Sequence, residues 1–281
     1  MISVVVRSHN DAGVIRRTLE ALTTQDCPDF EILSFDDSST DGTLEIIRSF
    51  PGVRVFPPDG LPYNPARVLN RAVAECSGDI VVFNNSDAVP LSSDYLRKLV
   101  APLSSPAVGA VFGNQLCRSN ADVLVRKDYE RAFGDGAVSA SWRHFFSLVS
   151  SAARRGTLVA NPFDPAMQYS EDVEWSWRLK RSGLGIVYVP GAAVEHSHNY
   201  TLREVSRRFY SEGLADGVIF GGARGFSGFL LSLGVELLRD MAYIFRNGRL
   251  CDLPRGVCYR IVQRFEFWRG ARRGAAKECR K

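Results

Sequence analysis

Glu31-Ile32-Leu33-Ser34-Phe35-Asp36-Asp37-Ser38-Ser39-Thr40-Asp41-Gly42-Thr43-Leu44 changes character halfway along. Its first five residues form a short, largely apolar run of strand length. Asp36 and Asp37 end that run, Ser39 to Gly42 make a turn and a helix start, and Leu44, Ile46 and Ile47 supply an apolar helical face. A strand that runs into a polar turn and then a helix is the first part of a βαβ unit. Its neighbours decide whether the unit repeats.

They repeat it. Residues 2–6 read as a strand, and Ile15, Leu19 and Leu22 follow at helical spacing. Residues 53–56 read as a third strand, 65–76 as a helix, and 80–83 as a strand that runs into Asn84-Asn85-Ser86-Asp87. The alternation predicts an α/β fold with a mixed, mostly parallel sheet flanked by helices. Open parallel sheets bind ligands at the carboxyl ends of their strands. Asn10, the pair Asp36 and Asp37, and Asn85 with Asp87 all fall at such ends. Each is also a type that turns favour on their own account, but three sets at one sheet edge point to a ligand site.

Beyond residue 108 the alternation fades. A strand over 108–115 precedes a helical stretch over 126–133 and the aromatic run Trp142-Arg143-His144-Phe145-Phe146. A helix begins near Ser170-Glu171-Asp172 and continues to Gly183; a strand over 187–189 then leads to Val194-Glu195-His196-Ser197-His198. The chain of 281 residues is 45% apolar and 23% charged with a net charge of +4, which excludes disorder and collagen and does not mark a nucleic-acid binder. That charge is uneven: residues 246–281 hold eleven Lys/Arg and three Asp/Glu, a local +8, which leaves −4 on residues 1–245. Six scattered cysteines fit no metal or disulfide framework, and the N-terminus lacks the pattern of a signal peptide, so a cytoplasmic protein is expected. Residues 226–245 are apolar but interrupted by Glu236, Arg239 and Asp240, a pattern for lying on a membrane or packing on a core.

Four ordered motifs resemble the nucleotide-sugar glycosyltransferases of the GT-A type, family 2: residues 34–43, the run Asn85-Ser86-Asp87-Ala88-Val89-Pro90, Ser170-Glu171-Asp172, and His196 with His198. The stretch 171–213 looks most like bacterial rhamnosyltransferase-type members. The resemblance implies a GT-A domain over 1–215, with a nucleotide-sugar-binding half (1–105) and an acceptor-binding half (106–215), and a helical basic extension over 216–281. It implies an inverting, non-processive transfer of one sugar, rhamnose in the closest pattern, from a nucleotide-diphosphate sugar to a glycan or lipid-linked acceptor of a bacterial surface polysaccharide. The 226–281 segment would then hold the enzyme at the inner face of the cell membrane.

By the same resemblance Asp172 is the general base, with Glu171 beside it. Ser8, Asn10, Asp36 and Asp37 line the nucleotide together with Arg67 or Arg71. Asn85 and Asp87 stand where the family has its metal motif, and His196 or His198 supplies a further metal ligand. Oxygen donors suit Mg²⁺ or Mn²⁺, but Asn85 contributes no charge where the family has aspartate, so weakened metal dependence is expected. Trp175 and Trp177 are the aromatic candidates for the acceptor, with Trp175 preferred. A non-catalytic binding protein of the same fold and a sugar-nucleotide pyrophosphorylase are the alternatives; the second lacks its basic glycine-rich loop in residues 7–13.

Overall fold

The structure is a computed structural model in which residues 1–222 and 225–278 are described. The chain forms two compact units: Met1–Arg118 with Arg131–His196, and Ser119–Glu130 with the chain from Ser197 onward. In order the elements are β1 (Ile2–Ser8), α1 (Ile15–Thr23), β2 (Phe30–Asp36), α2 (Thr43–Arg48), β3 (Val53–Phe56), α3 (Pro65–Glu75), β4 (Ile80–Asn85), β5 (Val89–Pro90), α4 (Tyr95–Val100), β6 (Val108–Leu116), α5 (Val123–Ala132), α6 (Ala137–Ala140), β7 (Ser150–Arg154), α7 (Arg155–Ala160), α8 (Glu171–Arg181), β8 (Gly185–Glu195), α9 (Leu202–Phe220), α10 (Phe226–Arg246) and α11 (Leu253–Glu278).

The first unit is one eight-stranded sheet in the order β3-β2-β1-β4-β7-β6-β8-β5, flanked by helices. β1 lies between β2 and β4 and is parallel to both. It is apolar without alternation because it is covered on both faces, and Val4 and Val6 are fully buried against Ile15, Leu19 and Leu22 of α1. The first turn of α3 is fixed by Pro65 and by the Asn64 side chain, which accepts from the Arg67 N–H at 2.9 Å.

Two strand features were not legible in advance. β7 runs antiparallel between β4 and β6, yet Ser150-Ser151-Ala152-Ala153-Arg154 contains no β-branched or aromatic residue. Its small side chains are all but wholly buried, and Ser150 Oγ meets the buried Tyr95 hydroxyl at 2.8 Å. β8 continues through Pro190-Gly191, where the sequence reads as a turn. The register slips there: Gly113 pairs with Val189 but Asn114 with Ala193, so residues 190–192 bulge. Gly113 permits this, since a Cβ at that position would lie 2.4 Å from the Ala192 carbonyl oxygen.

The second unit is helical. Thr201 and Glu204 form a reciprocal capping box that starts α9. α9 and α11 approach closely at two glycine pairs; a Cβ on Gly213 or Gly217 would lie 2.1 or 2.2 Å from the carbonyl oxygens of Phe267 or Ala271, and Gly270 and Gly274 are equally tight from the other side. Val123 and Leu124 pack with Ile244. Beside them lies a buried ionic cluster in which Lys127 meets Asp240 and Glu236, and Arg260 bridges Asp240 at 2.6 Å and Asp128 at 2.9 Å. No helix among the described residues is long and apolar enough to cross a membrane. The last three residues of the basic tail, 279–281, lie outside the described residues.

Candidate active site

The register of the central strands assembles the edge. Ser8 lies opposite Asp36, and Arg7 opposite Asn85, so β1, β2 and β4 end side by side. The Asp36 carboxylate is buried and accepts from Ser8 Oγ at 2.8 Å and from the Ser39 N–H at 2.9 Å. The loop after β1 is tied to the loop after β2. The Asn10 side chain accepts from the Thr40 N–H at 2.9 Å, His9 Nδ1 donates to the Asp37 carbonyl at 2.7 Å, and Asp41 accepts from the Ala12 N–H at 3.0 Å. The run from Asp36 to Thr43 thus serves as the lacing of two strand-end loops. Among the described residues, the non-glycine residues with left-handed backbone are Asn10, Ser38 and Ser170 (φ 56°, 57° and 57°). All three stand in loops of this region, where sustained backbone strain is a mark of function.

Asp87 ends the turn after β4. β5 pairs with β8, Val89 opposite Glu195, and this carries His196 to the same place. His196 Nε2 lies 3.4 Å from Asp87 Oδ2, and both residues are buried. Gln115 fixes the imidazole: its amide nitrogen donates to Ser147 Oγ at 2.8 Å, so its oxygen accepts from His196 Nδ1 at 2.9 Å. With the proton on Nδ1, Nε2 turns its lone pair toward the carboxylate, as in metal-ligating histidines. Two bonds of about 2.1 Å to one divalent ion put neighbouring donors about 3 Å apart, so this oxygen–nitrogen pair fits such an ion. Arg118 donates to the Asp87 carbonyl at 2.8 Å and stands 3.8 Å from its carboxylate. His198 follows two residues after His196, beyond the border of the first unit.

Glu171 and Asp172 open α8. Ser170 occupies the cap position but makes no side-chain cap bond. Asp172 instead accepts from the Val173 N–H at 2.8 Å and the Leu148 N–H at 3.2 Å. Arg7 contacts Glu171 at 3.6 Å and so places the start of α8 beside the strand ends. Burial, and then the neighbouring Glu171 charge, push the Asp172 carboxyl up to about 7, against the two N–H donors and Arg7. His144, held neutral by burial at about 4, meets Ser176 Oγ at 2.8 Å, and that hydroxyl donates to the Asp172 carbonyl.

One expectation is corrected. Trp175 is 1% exposed, packs between Phe146 and Phe163, and donates from Nε1 to the Asn161 carbonyl at 2.7 Å, so no face is left for a sugar. Trp177 is part-exposed, with Arg143 over its ring at 5.6 Å. Arg67 is bound to Asp59 at 2.9 Å, and Arg71 to the Pro57 carbonyl at 2.6 Å with its guanidinium over Phe35. The sequence reading missed Arg7 and Gln115. Arg7 had a signal, a cation closing an apolar strand; Gln115 had none.

The fold is that of the GT-A class of glycosyltransferases. The family described as "Glycosyl transferase family 2" matches residues 3–162, and the chain belongs to it; it is a glycosyltransferase. The chain is 26% identical over 241 residues to the O-antigen chain rhamnosyltransferase RfbN of Salmonella typhimurium, covering 80% of this chain and 77% of that one. It is 27% identical over 226 residues to the O-antigen chain rhamnosyltransferase WbaN of Salmonella anatum, covering 75% and 71%. Among solved structures, the mannosyltransferase PcManGT from Pyrobaculum calidifontis, in complex with GDP-Man and Mn2+, superposes with a TM-score of 0.65 at 20% identity over 99% of this chain and 86% of that one. Glucosyl-3-phosphoglycerate synthase from Mycobacterium tuberculosis, in complex with Mn2+, UDP and phosphoglyceric acid, gives 0.58 at 24% identity over 77% and 76%. Membership leaves the pyrophosphorylase and the non-catalytic binding protein without support.

Proposed function

We propose that the chain moves a single sugar, rhamnose by its likeness to the two Salmonella enzymes, from a nucleotide-diphosphate sugar to a lipid-linked glycan acceptor of a bacterial surface polysaccharide, with inversion at the anomeric carbon. The acceptor chemistry places the reaction at the inner face of the cell membrane. The observation that carries this reading is the Arg7–Glu171 contact, which sets the buried Glu171 and the part-exposed Asp172 beside the ends of β1, β2 and β4.

In this reading Ser8, Asn10, Asp36 and Asp37 form the nucleotide floor, with Asp37 at the base and Asp36 beside the ribose. Arg67 closes the pocket from the first turn of α3. Asp172 takes the proton of the acceptor hydroxyl as that oxygen attacks the anomeric carbon from the side opposite the diphosphate, and the leaving diphosphate keeps the electrons of the broken bond. The Glu171 charge next to it raises its basicity, and Arg7 holds Glu171 in place. Asp87, His196 and His198 would hold Mg²⁺ or Mn²⁺, which when bound neutralises charge on the diphosphate. Asn85 adds a neutral oxygen there, so the ion is held more weakly than by two aspartates. Trp177 is the remaining aromatic candidate for the acceptor sugar.

The test is release of nucleotide diphosphate from nucleotide-diphosphate rhamnose in the presence of lipid-linked acceptor, with product anomeric configuration read by NMR. Release with inversion, lost in Asp172→Asn, is the expected result. Retention of configuration, or a variant as active as the parent, sinks the mechanism.

A further inference from the structure

We propose that the exposed face of α10 docks on an anionic lipid surface. The inference deepens the lipid-linked acceptor reading above and rests on it. Leu231, Val235, Leu238, Ala242 and Phe245 recur at spacings of four and three along the helix, and all are exposed, Leu231 by 72% and Leu238 by 65%. Phe226 and Leu230 extend the exposed apolar surface toward the start of the helix. A contiguous row of this kind marks an interaction surface.

The charges decide what covers it. α10 has two carboxylates, and both are buried: Glu236 meets Lys127, Arg239 and Arg264, and Asp240 meets Lys127 and Arg260. The solvent side therefore carries Arg246 beside the leucines and no acid of α10, since Arg239 is paired with Glu236. A second copy of this face would set Arg246 against Arg246, with both carboxylates of α10 already buried and paired, which opposes self-association. A layer of anionic headgroups over acyl chains complements both the apolar row and its cationic edge. The basic tail, which the sequence joins to residues 226–245 either as a membrane-lying segment or as a subdomain packed on the core, is in part paired internally. Arg249, Arg255, Arg260, Arg264 and Arg269 each pair with a carboxylate: Asp252, Asp122, Asp128, Glu236 and Glu266.

Vesicle flotation of the full chain tests this, with phosphatidylcholine alone and with phosphatidylcholine mixed with phosphatidylglycerol, in the absence of donor. The protein is expected to float with the anionic vesicles and not with the neutral ones. Leu231→Gln combined with Leu238→Gln should weaken binding about tenfold or more, and Arg246→Glu should weaken it and flatten its salt dependence. Both sets of positions are exposed, and circular dichroism checks that the variants fold. No flotation with either vesicle overturns the proposal, as does a double-leucine variant that floats like the parent. A concentration-dependent dimer in ultracentrifugation, abolished by the double variant, overturns it in favour of a second copy. Because vesicle binding is read without turnover, failure of the transfer assay leaves this result standing.

Discussion

Asp172 and Glu171 stand together at the start of α8, and their charges decide the pH behaviour of the site. A base must be ionised to work. With the Asp172 carboxyl raised to about 7, kcat/KM should fall as pH drops through that value. Glu171→Gln removes the like charge and should move this acidic limb to lower pH; Arg7→Gln removes the opposing one and should move it up. A pH–rate profile with no inflection near neutrality, in parent and variants alike, removes Asp172 as the base. The same shift bears on stability. The folded carboxyl binds its proton more tightly than an unfolded one with the ordinary value near 3.8, so between about pH 4 and 7 stability falls as pH rises. Asp172→Asn should therefore raise Tm at pH 8, with the gain closing toward pH 4. At the other side of the site, Mn²⁺ with nucleoside diphosphate should raise Tm by mass action. Asp87→Ala and His196→Ala should abolish that shift and Asn85→Asp should enlarge it, as thermal denaturation would record. Of these groups, the strand-end carboxylates and Asp172 were legible because they stand in ordered motifs. Gln115 was not, since its role depends on β6 meeting β8, which no local pattern encodes.

At the scale of elements, legibility followed the size of the side chain. β1, β2 and β4 announce themselves by valine, isoleucine and phenylalanine; β7 is silent because it is built of serine and alanine, which carry no strand signature. The Pro190-Gly191 turn signal is real chemistry, spent on a bulge within β8 instead of on its end. The α9–α11 contact shows the same dependence on small residues. In an exposed helix Gly→Ala is expected to stabilise by about 1 kcal/mol. At Gly217 the added methyl meets the Ala271 carbonyl oxygen at 2.2 Å, so the helices must part. Gly217→Ala should thus cost about 1–3 kcal/mol, visible as a lower urea midpoint; a midpoint raised or unchanged contradicts the packing described.

At the scale of the whole molecule, the second unit is built from two separate lengths of chain, 119–130 and the part from Ser197. The sequence expectation of a boundary near residue 215 rests on where the family motifs end. A chain cut there keeps Val123, Leu124, Lys127 and Asp128 but loses Ile244, Glu236, Asp240 and Arg260, their partners in the core and in the ionic cluster. Leaving a buried charge without its partner costs about 3–5 kcal/mol. The 1–215 truncation should be recovered mostly as aggregate by size exclusion, and a soluble, monodisperse product of that length would contradict this assignment of the core.

The split composition of that unit also sets a timetable. Asp128 and Arg260 are 132 residues apart in the chain. At a synthesis rate of about 5–20 residues per second, the early segment leaves the ribosome on the order of ten seconds before the helix that neutralises it. Through that interval a lysine, an aspartate and two aliphatic side chains wait in the nascent chain for partners not yet made. Yield in a cell should accordingly respond to translation speed and to chaperones that shelter this segment. Synthesis of α11, well after the sheet is complete, is the event that gives this segment its last partner.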